Sequence, residues 1–157
     1  MYKITFLTII KKENSAVNAV YYPVSIKDLN KTDKRESGYC RVKVEGKDLS
    51  FYGKKIKTKN KNFWVYAANP GKIKKPTNSH PIVQSYVDLF IGGCFQIKER
   101  YKINEFPKQC VETTTEWSKH WVNDRVHARR PFLVPNFYKI DKLLSNYFDY
   151  YLENKYQ

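Results

Sequence analysis

The side chains best suited to chemistry are thinly spread along this chain. The three histidines, His80, His120 and His127, do not recur at metal-ligand spacing, and no carboxylate pair at helical spacing joins them, so no metal site is expected. The three cysteines, Cys40, Cys94 and Cys110, form no Cys-x-x-Cys pair, and an odd number cannot close into a full disulfide set, which fits a reducing compartment. Cys94 and Cys110 lie in apolar patterns, where a buried thiol is commoner than a reactive one, and both are assigned to the core. Arg125, Arg129 and Arg130 gather near Trp117 and Trp121, a mix that could stack on a nucleotide or hold an acidic group. Because Glu112, Glu116 and Asp124 are close in sequence, the arginines are read instead as fixing the C-terminal segment to them. Glu36, among Lys34, Arg35 and Arg41, is by its residue type alone a surface carboxylate paired with one of those cations.

Charge offers a second chemistry. The 157 residues carry a formal net charge of +14, which suggests an acidic partner such as nucleic acid or an anionic surface, yet the lysines are scattered. The densest run, from Lys54 to Lys61, holds five lysines in eight residues without an interleaved aromatic platform, and it reads as a solvated hairpin tip or insert. The alternative is a basic nucleic-acid-binding module that grips through Lys54, Lys55, Lys57, Lys59 and Lys61 together with the cluster from Arg125 to Arg130. The apolar run Ile4 to Ile10 is far shorter than the roughly 20 residues that span a bilayer. No small-residue cleavage site follows it, so neither signal peptide nor membrane anchor is expected, and the location is read as cytoplasmic.

The elements that must position these residues read as one α+β domain, with an aromatic share of 16% that favours strands and large packed side chains. Ile4 to Ile10 and Val17 to Val24 are β-rich runs compatible with a hairpin, and Ser25 to Leu29 reads as a capped short helix with Asp28 at its third position and Leu29 inward. Tyr39 to Glu45 alternates apolar Cys40, Val42 and Val44 with charged residues, the pattern of a half-buried strand, and Phe63 to Ala68 is a second strand. After a turn-rich linker, Asn78-Ser79-His80-Pro81 reads as a helix entry with Pro81 near the first turn, and from Ile82 to Ile97 the apolar positions Ile82, Val83, Tyr86, Leu89, Phe90 and Cys94 mark an amphipathic helix; Gly92 and Gly93 inside it or near its end predict a close approach of another backbone. Phe106 to Val111 is a shorter element. Thr113 to Thr115 are candidate caps for a helix that sets Trp117 and Trp121 one turn apart, and a last helix runs from about Tyr138 to Glu153.

One stretch resembles a known family. Val20-Tyr21-Tyr22-Pro23-Val24, then Asp28-Leu29, then Asp33-Lys34-Arg35-Glu36-Ser37-Gly38 and Tyr39-Cys40-Arg41 is similar in order and spacing to the centre of the gamma-glutamylcyclotransferase-like family. There a strand leads through a short helix to "L-D-x-x-E-G", and "Y-x-R" opens the next strand. The likeness extends through the strand Phe63 to Ala68 to Ser85-Tyr86-Val87-Asp88 and Gly92-Gly93-Cys94, covering roughly residues 17 to 97; Trp121-Val122-Asn123-Asp124-Arg125 looks like a tail seen in some bacterial relatives. The resemblance implies a small mixed β-sheet curled toward a barrel over residues 1–97, flanked by helices, with a helical C-terminal extension over residues 98–157. It implies Glu36 as the catalytic acid/base, Tyr86 as a substrate-binding residue and no cofactor. The implied substrate is a γ-glutamyl amine or peptide whose free α-amine attacks its own γ-carbonyl, releasing 5-oxoproline, a reaction whose tethered partners lower the entropic barrier. The chain departs from the pattern at Thr32, where the motif has leucine, and at Ser37, inserted before Gly38. The family's "Y-G-S" substrate loop has no counterpart before Val17, and Met1 to Ile10 reads as a later strand, so a shortened start is expected. A catalytically degenerate relative that binds small molecules or proteins is the alternative within the family.

Overall fold

The computed structural model describes residues 3–53, 56–130 and 134–153. Among them are five α-helices and two two-stranded sheets, an α+β arrangement in which no closed barrel forms. The chain divides into two compact units, one comprising the described parts of Met1–Phe6, Asn14–Val20 and Lys75–Gln157, the other Leu7–Glu13 and Tyr21–Lys74.

The second of these is built on a helix and a hairpin. Helix α1, Ile26–Arg35, starts where Ser25 adopts extended backbone and its Oγ accepts from Asp28 N at 3.1 Å while donating to Asp28 Oδ2 at 2.7 Å. This satisfies one of the N–H groups that a helix start leaves without an internal partner. Ser25 and Lys31 hold the Asp28 carboxyl below its ordinary range. Strand β1, Tyr39–Val44, pairs antiparallel with β2, Phe63–Ala68, in a register that sets Arg41 opposite Tyr66 and Lys43 opposite Trp64. Both strands lie where the residue pattern puts them, but Cys40 and Val42 are exposed and Leu29 is only half-buried. The run Val17 to Val24 forms no strand, and Val20, Tyr21, Tyr22 and Val24 are exposed. Tyr21 is nonetheless tied in, edge-on to Phe51 and Phe63. Ile4 to Ile10 is not a strand either: Lys3 and Thr5 donate backbone bonds to Ser79 and Pro81, each at 3.0 Å.

The other unit contains the core. Parallel strands β3, Ile82–Val83, and β4, Trp121–Val122, precede and follow helices α2, Gln84–Tyr101, and α3, Phe106–Glu112; α4, Phe137–Ser145, and α5, Asp149–Glu153, complete it. Val87, Ile91, Cys94, Phe106, Cys110, Val111, Ile140, Leu144 and Tyr151 are buried together. Several expectations are corrected in this unit. The stretch Asn78 to Pro81 is not a helix entry: Thr77 to His80 is a tight turn closed by reciprocal Thr77 and His80 backbone bonds, and the helix begins only at Gln84. Its buried face includes Gln84, Ser85, Val87, Asp88, Ile91 and Cys94, so three polar residues occupy inward positions while Tyr86, Leu89 and Phe90 are only half-buried.

No helix forms over residues 116–121. Glu116 takes a φ of 63°, a tight turn closes from Trp121 N to Lys119 O, and the two indoles stack at 5.6 Å with planes 14° apart instead of lying one helical turn apart. The final helix is broken at residues 146–148. In an unbroken helix residues ten apart stand ~15 Å apart along the axis. The break lets Tyr151 Oη donate to Asp141 Oδ1 at 2.7 Å.

Gly92 and Gly93 differ in their surroundings. A Cβ on Gly92 would stand 2.8 Å from Val134 Cγ1, so the close approach is to a side chain; a Cβ on Gly93 would meet nothing within 4 Å. Gly93→Ala is therefore expected to stabilise the fold by about 0.5–1 kcal/mol through helix propensity. Gly92→Ala is expected to forfeit that gain to overpacking and to destabilise by about 1–3 kcal/mol. Urea denaturation of both variants beside the parent measures the difference; equal shifts would contradict it.

Candidate functional site

Two polar groups could carry chemistry, one in each unit. In the helix–hairpin unit, Asp33 on α1 faces the sheet. Its Oδ2 accepts from Arg41 Nη1 at 2.8 Å and its Oδ1 from Tyr66 Oη at 2.6 Å, gathering the helix and a directly opposed pair of residues on the two strands. Partial burial and the bond to Asp33 push the Tyr66 hydroxyl pKa up, which keeps it a proton donor. The Arg41 guanidinium also lies over the Trp64 ring at 4.7 Å. Glu36 stands just beyond, as the residue that ends α1. Its N–H bonds Thr32 O at 2.8 Å, its carbonyl accepts from Tyr39 N at 2.8 Å, and its Oε1 accepts from Arg35 Nε at 2.9 Å. The Glu36 side chain is 28% exposed and that of Arg35 70%, so the carboxylate is partly sheltered while its partner is in water.

In the core unit, Arg125 is the centre. Its Nε and Nη2 donate to the two oxygens of Asp88 at 2.7 Å each, and Nη1 and Nη2 donate to Asp141 at 3.1 and 2.8 Å. Burial works against the guanidinium charge, but the bonds to Asp88 and Asp141 outweigh it and raise its pKa. Asp88 also accepts from Gln84 Nε2, whose Oε1 in turn accepts from Trp121 Nε1 at 2.9 Å. Burial and the bond to Asp141 raise the Tyr151 pKa. A neighbouring carboxylate, Asp124, accepts from Ser85 N and Ser85 Oγ at 2.7 and 2.6 Å and from Arg129 N at 2.8 Å, and so caps the start of α2 from outside the helix. These acids are each committed to several donors, and the group is a structural one.

The residues singled out from sequence fall as follows. Glu36 belongs to the helix–hairpin unit and Tyr86 to the core unit, where the Tyr86 ring lies edge-on to Phe6 at 5.7 Å and Arg130 stands over both rings. The structural role read for the arginines holds for Arg125, but its partners are Asp88 and Asp141, 37 and 16 residues away, and not the acids nearest in sequence. Cys94 and Cys110 are buried, as expected, and among the described residues no group of His, Cys, Asp and Glu could hold a metal ion. His120 Nδ1 pairs with Asn78 Oδ1 and His80 Nδ1 with Ser79 Oγ. Lys57, Lys59 and Lys61 are exposed on the β1–β2 connection; Lys54 and Lys55 lie outside the described residues. No described helix is long and apolar enough to cross a membrane. The partnership of Asp33 with Arg41 and Tyr66 does not follow from sequence reasoning. The signal available is that Asp33 lies eight residues before Arg41, the cation at the third position of an alternating strand, but the partnering position on the second strand cannot be chosen without the register.

Compared with family models, curated proteins and solved structures, the chain matches none.

Removing Arg125 leaves two buried carboxylates without their cation. Arg125→Leu is expected to cost about 3–5 kcal/mol. Urea denaturation of the parent and the variant at neutral pH measures the loss; a cost below about 1 kcal/mol would contradict it. The adjacent tyrosines supply a sharper contrast. Tyr151→Phe is expected to cost about 1–2 kcal/mol, whereas Tyr150 Oη is buried without a hydrogen-bond partner among the described residues. Tyr150→Phe should therefore be neutral or stabilising in the same assay.

Proposed function

We propose that the chain is a gamma-glutamylcyclotransferase-like enzyme that uses Glu36 to release 5-oxoproline from a γ-glutamyl amine or peptide, with no cofactor. The observation that carries the reading is the 2.8 Å pair between Asp33 and Arg41. It joins the aspartate of the "L-D-x-x-E-G"-like stretch to the arginine of the "Y-x-R"-like stretch. The two motifs on which the resemblance rests are thus physically coupled, and Glu36 stands on the turn between them. In this reading Asp33 and Arg41 are positioning residues that hold the end of α1 against the hairpin.

The chemistry asks little of the protein beyond that. The substrate's α-amine attacks its own γ-carbonyl, closing the five-membered lactam. The Glu36 carboxylate takes a proton from that amine as the new C–N bond forms, then returns it to the nitrogen that leaves as the old bond breaks. One carboxylate serves as base and then acid, and general acid–base catalysis of this kind is worth about 10²–10⁴-fold. The pairing of Glu36 with Arg35 is no obstacle, because Arg35 stands in water and an ion pair to a solvated cation holds little free energy.

The test is 5-oxoproline release, followed by mass spectrometry, from a panel of γ-glutamyl amines and dipeptides. Release by the parent that falls by about 10²–10⁴-fold in a folded Glu36→Gln variant is the expected result. Undiminished release by that variant would remove Glu36 from the mechanism. No release from any member of the panel would overturn the enzyme reading in favour of a degenerate relative, whose affinity for the same amines calorimetry would then measure.

A further inference from the structure

We propose that Cys94 and Cys110 are a redox-reactive dithiol that closes to a disulfide between α2 and α3, a modification site separate from Glu36. Cys94 is on α2 and Cys110 on α3, each 5% exposed, and their sulfurs are 2.6 Å apart. Even carbon atoms in ordinary contact stand about 3.5–4.0 Å apart, whereas a bonded sulfur pair stands at about 2.05 Å. The two thiols are thus inside van der Waals contact and a small displacement from bonding distance. They are held there by packed surroundings: Ile91 on α2 and Phe106 and Val111 on α3 lie in the same buried cluster.

The pair is also polarised. The Cys94 S–H donates to Cys110 Sγ, and that bond lowers the Cys110 pKa; the same bond, with burial, raises that of Cys94. Cys110 is the sulfur that carries the negative charge first, and the thiolate is the nucleophile in thiol oxidation.

With hydrogen peroxide as the oxidant the steps balance. Cys110 thiolate attacks one peroxide oxygen, the O–O bond breaks, and the departing hydroxide takes a proton to become water, leaving a sulfenic acid on Cys110. Cys94, losing its proton, attacks the Cys110 sulfur; the S–O bond breaks, and the hydroxyl leaves as a second water. Two thiols and one peroxide give one disulfide and two waters. The two sulfurs lose two electrons between them and the peroxide oxygens gain them. Peroxide is small and uncharged, which suits a site that larger disulfide reagents would reach slowly. Cys40, by contrast, is exposed on β1, in the other unit, and serves as the internal comparison.

The experiment treats the folded full chain with a slight excess of hydrogen peroxide, blocks remaining thiols under denaturing conditions with iodoacetamide, and maps tryptic peptides by mass spectrometry. Lys98, Arg100, Lys102 and Lys108 separate the two cysteines, so a cross-link is directly visible. The same treatment of Cys40→Ser removes the exposed thiol without touching the core. The expected result is a cross-linked Cys94–Cys110 pair, lighter by two hydrogens, formed in both proteins and reversed by dithiothreitol. Full alkylation of Cys94 and Cys110 after peroxide, their conversion to sulfinic acids without a cross-link, or disulfides only through Cys40 would each overturn the proposal.

Discussion

Arg125 is pinned between Asp88 and Asp141, with its side chain 19% exposed and those of the two acids 7% and 8%, and this buried ion group sets the terms for the core unit. Taking such charges out of water costs several kcal/mol per ion, and only near-complete hydrogen bonding offsets it. The surrounding structure follows from that demand. Gln84 and Asp88 occupy the buried face of α2, Trp121 turns its indole N–H toward Gln84, and the chain is interrupted between α4 and α5 so that Tyr151 can complete the shell of Asp141. Apolar residues of the same volume would pack there at less electrostatic cost. What the ion group does is tie three separate segments to one another, α2 through Gln84 and Asp88, the stretch of Trp121 and Arg125, and the C-terminal helices through Asp141 and Tyr151.

The helix–hairpin unit is held differently. No residue of α1 is buried, and its attachment is the carboxylate of Asp33 with a phenol and a guanidinium, supplemented by edge-on aromatic contacts around Tyr21. Partly solvated hydrogen bonds of this kind are worth about 0.5–1.5 kcal/mol each, so such a unit tolerates exposed side chains at its turns. A carboxylate such as Glu36 can remain accessible at the end of α1 without penalty. The burial that stabilises the core unit would commit the same group to structure, as it has committed Asp88, Asp124 and Asp141.

Local order is legible wherever local physics decides it. Ser25 and Asp28 stand three apart and cap α1 because a helix start needs that acceptor at that distance, and the alternation from Tyr39 and the aromatic run from Phe63 appear as paired strands. The glycine at position 92 marks a close approach, though of the Val134 side chain and not of a backbone, and Cys94 and Cys110 are buried as their apolar neighbours require. The partnership of Asp33 with Arg41 leaves only a trace in the chain, an acid eight residues ahead of the cation on an alternating strand.

The remainder rests on contacts between distant segments. Periodicity assigns Asp88 and Gln84 no place in a core, because hydropathy scores each residue alone while burial of an acid becomes favourable only when a cation 37 positions away arrives to meet it. For the same reason apolar spacing favours a continuous last helix, although the hydroxyl of Tyr151 has to reach Asp141 and the helix breaks to allow it. Trp117 and Trp121 fit a helical turn equally well by spacing, yet the pairing of Trp121 with Ile82 in a parallel strand requires extended backbone. The cap of α1, the hairpin strands and the inventory of apolar residues could be read from the chain alone, because each rests on neighbours within a few residues. Which acids are structural and which sulfurs touch emerged only on folding, because those outcomes depend on segments that lie far apart until the core brings them together.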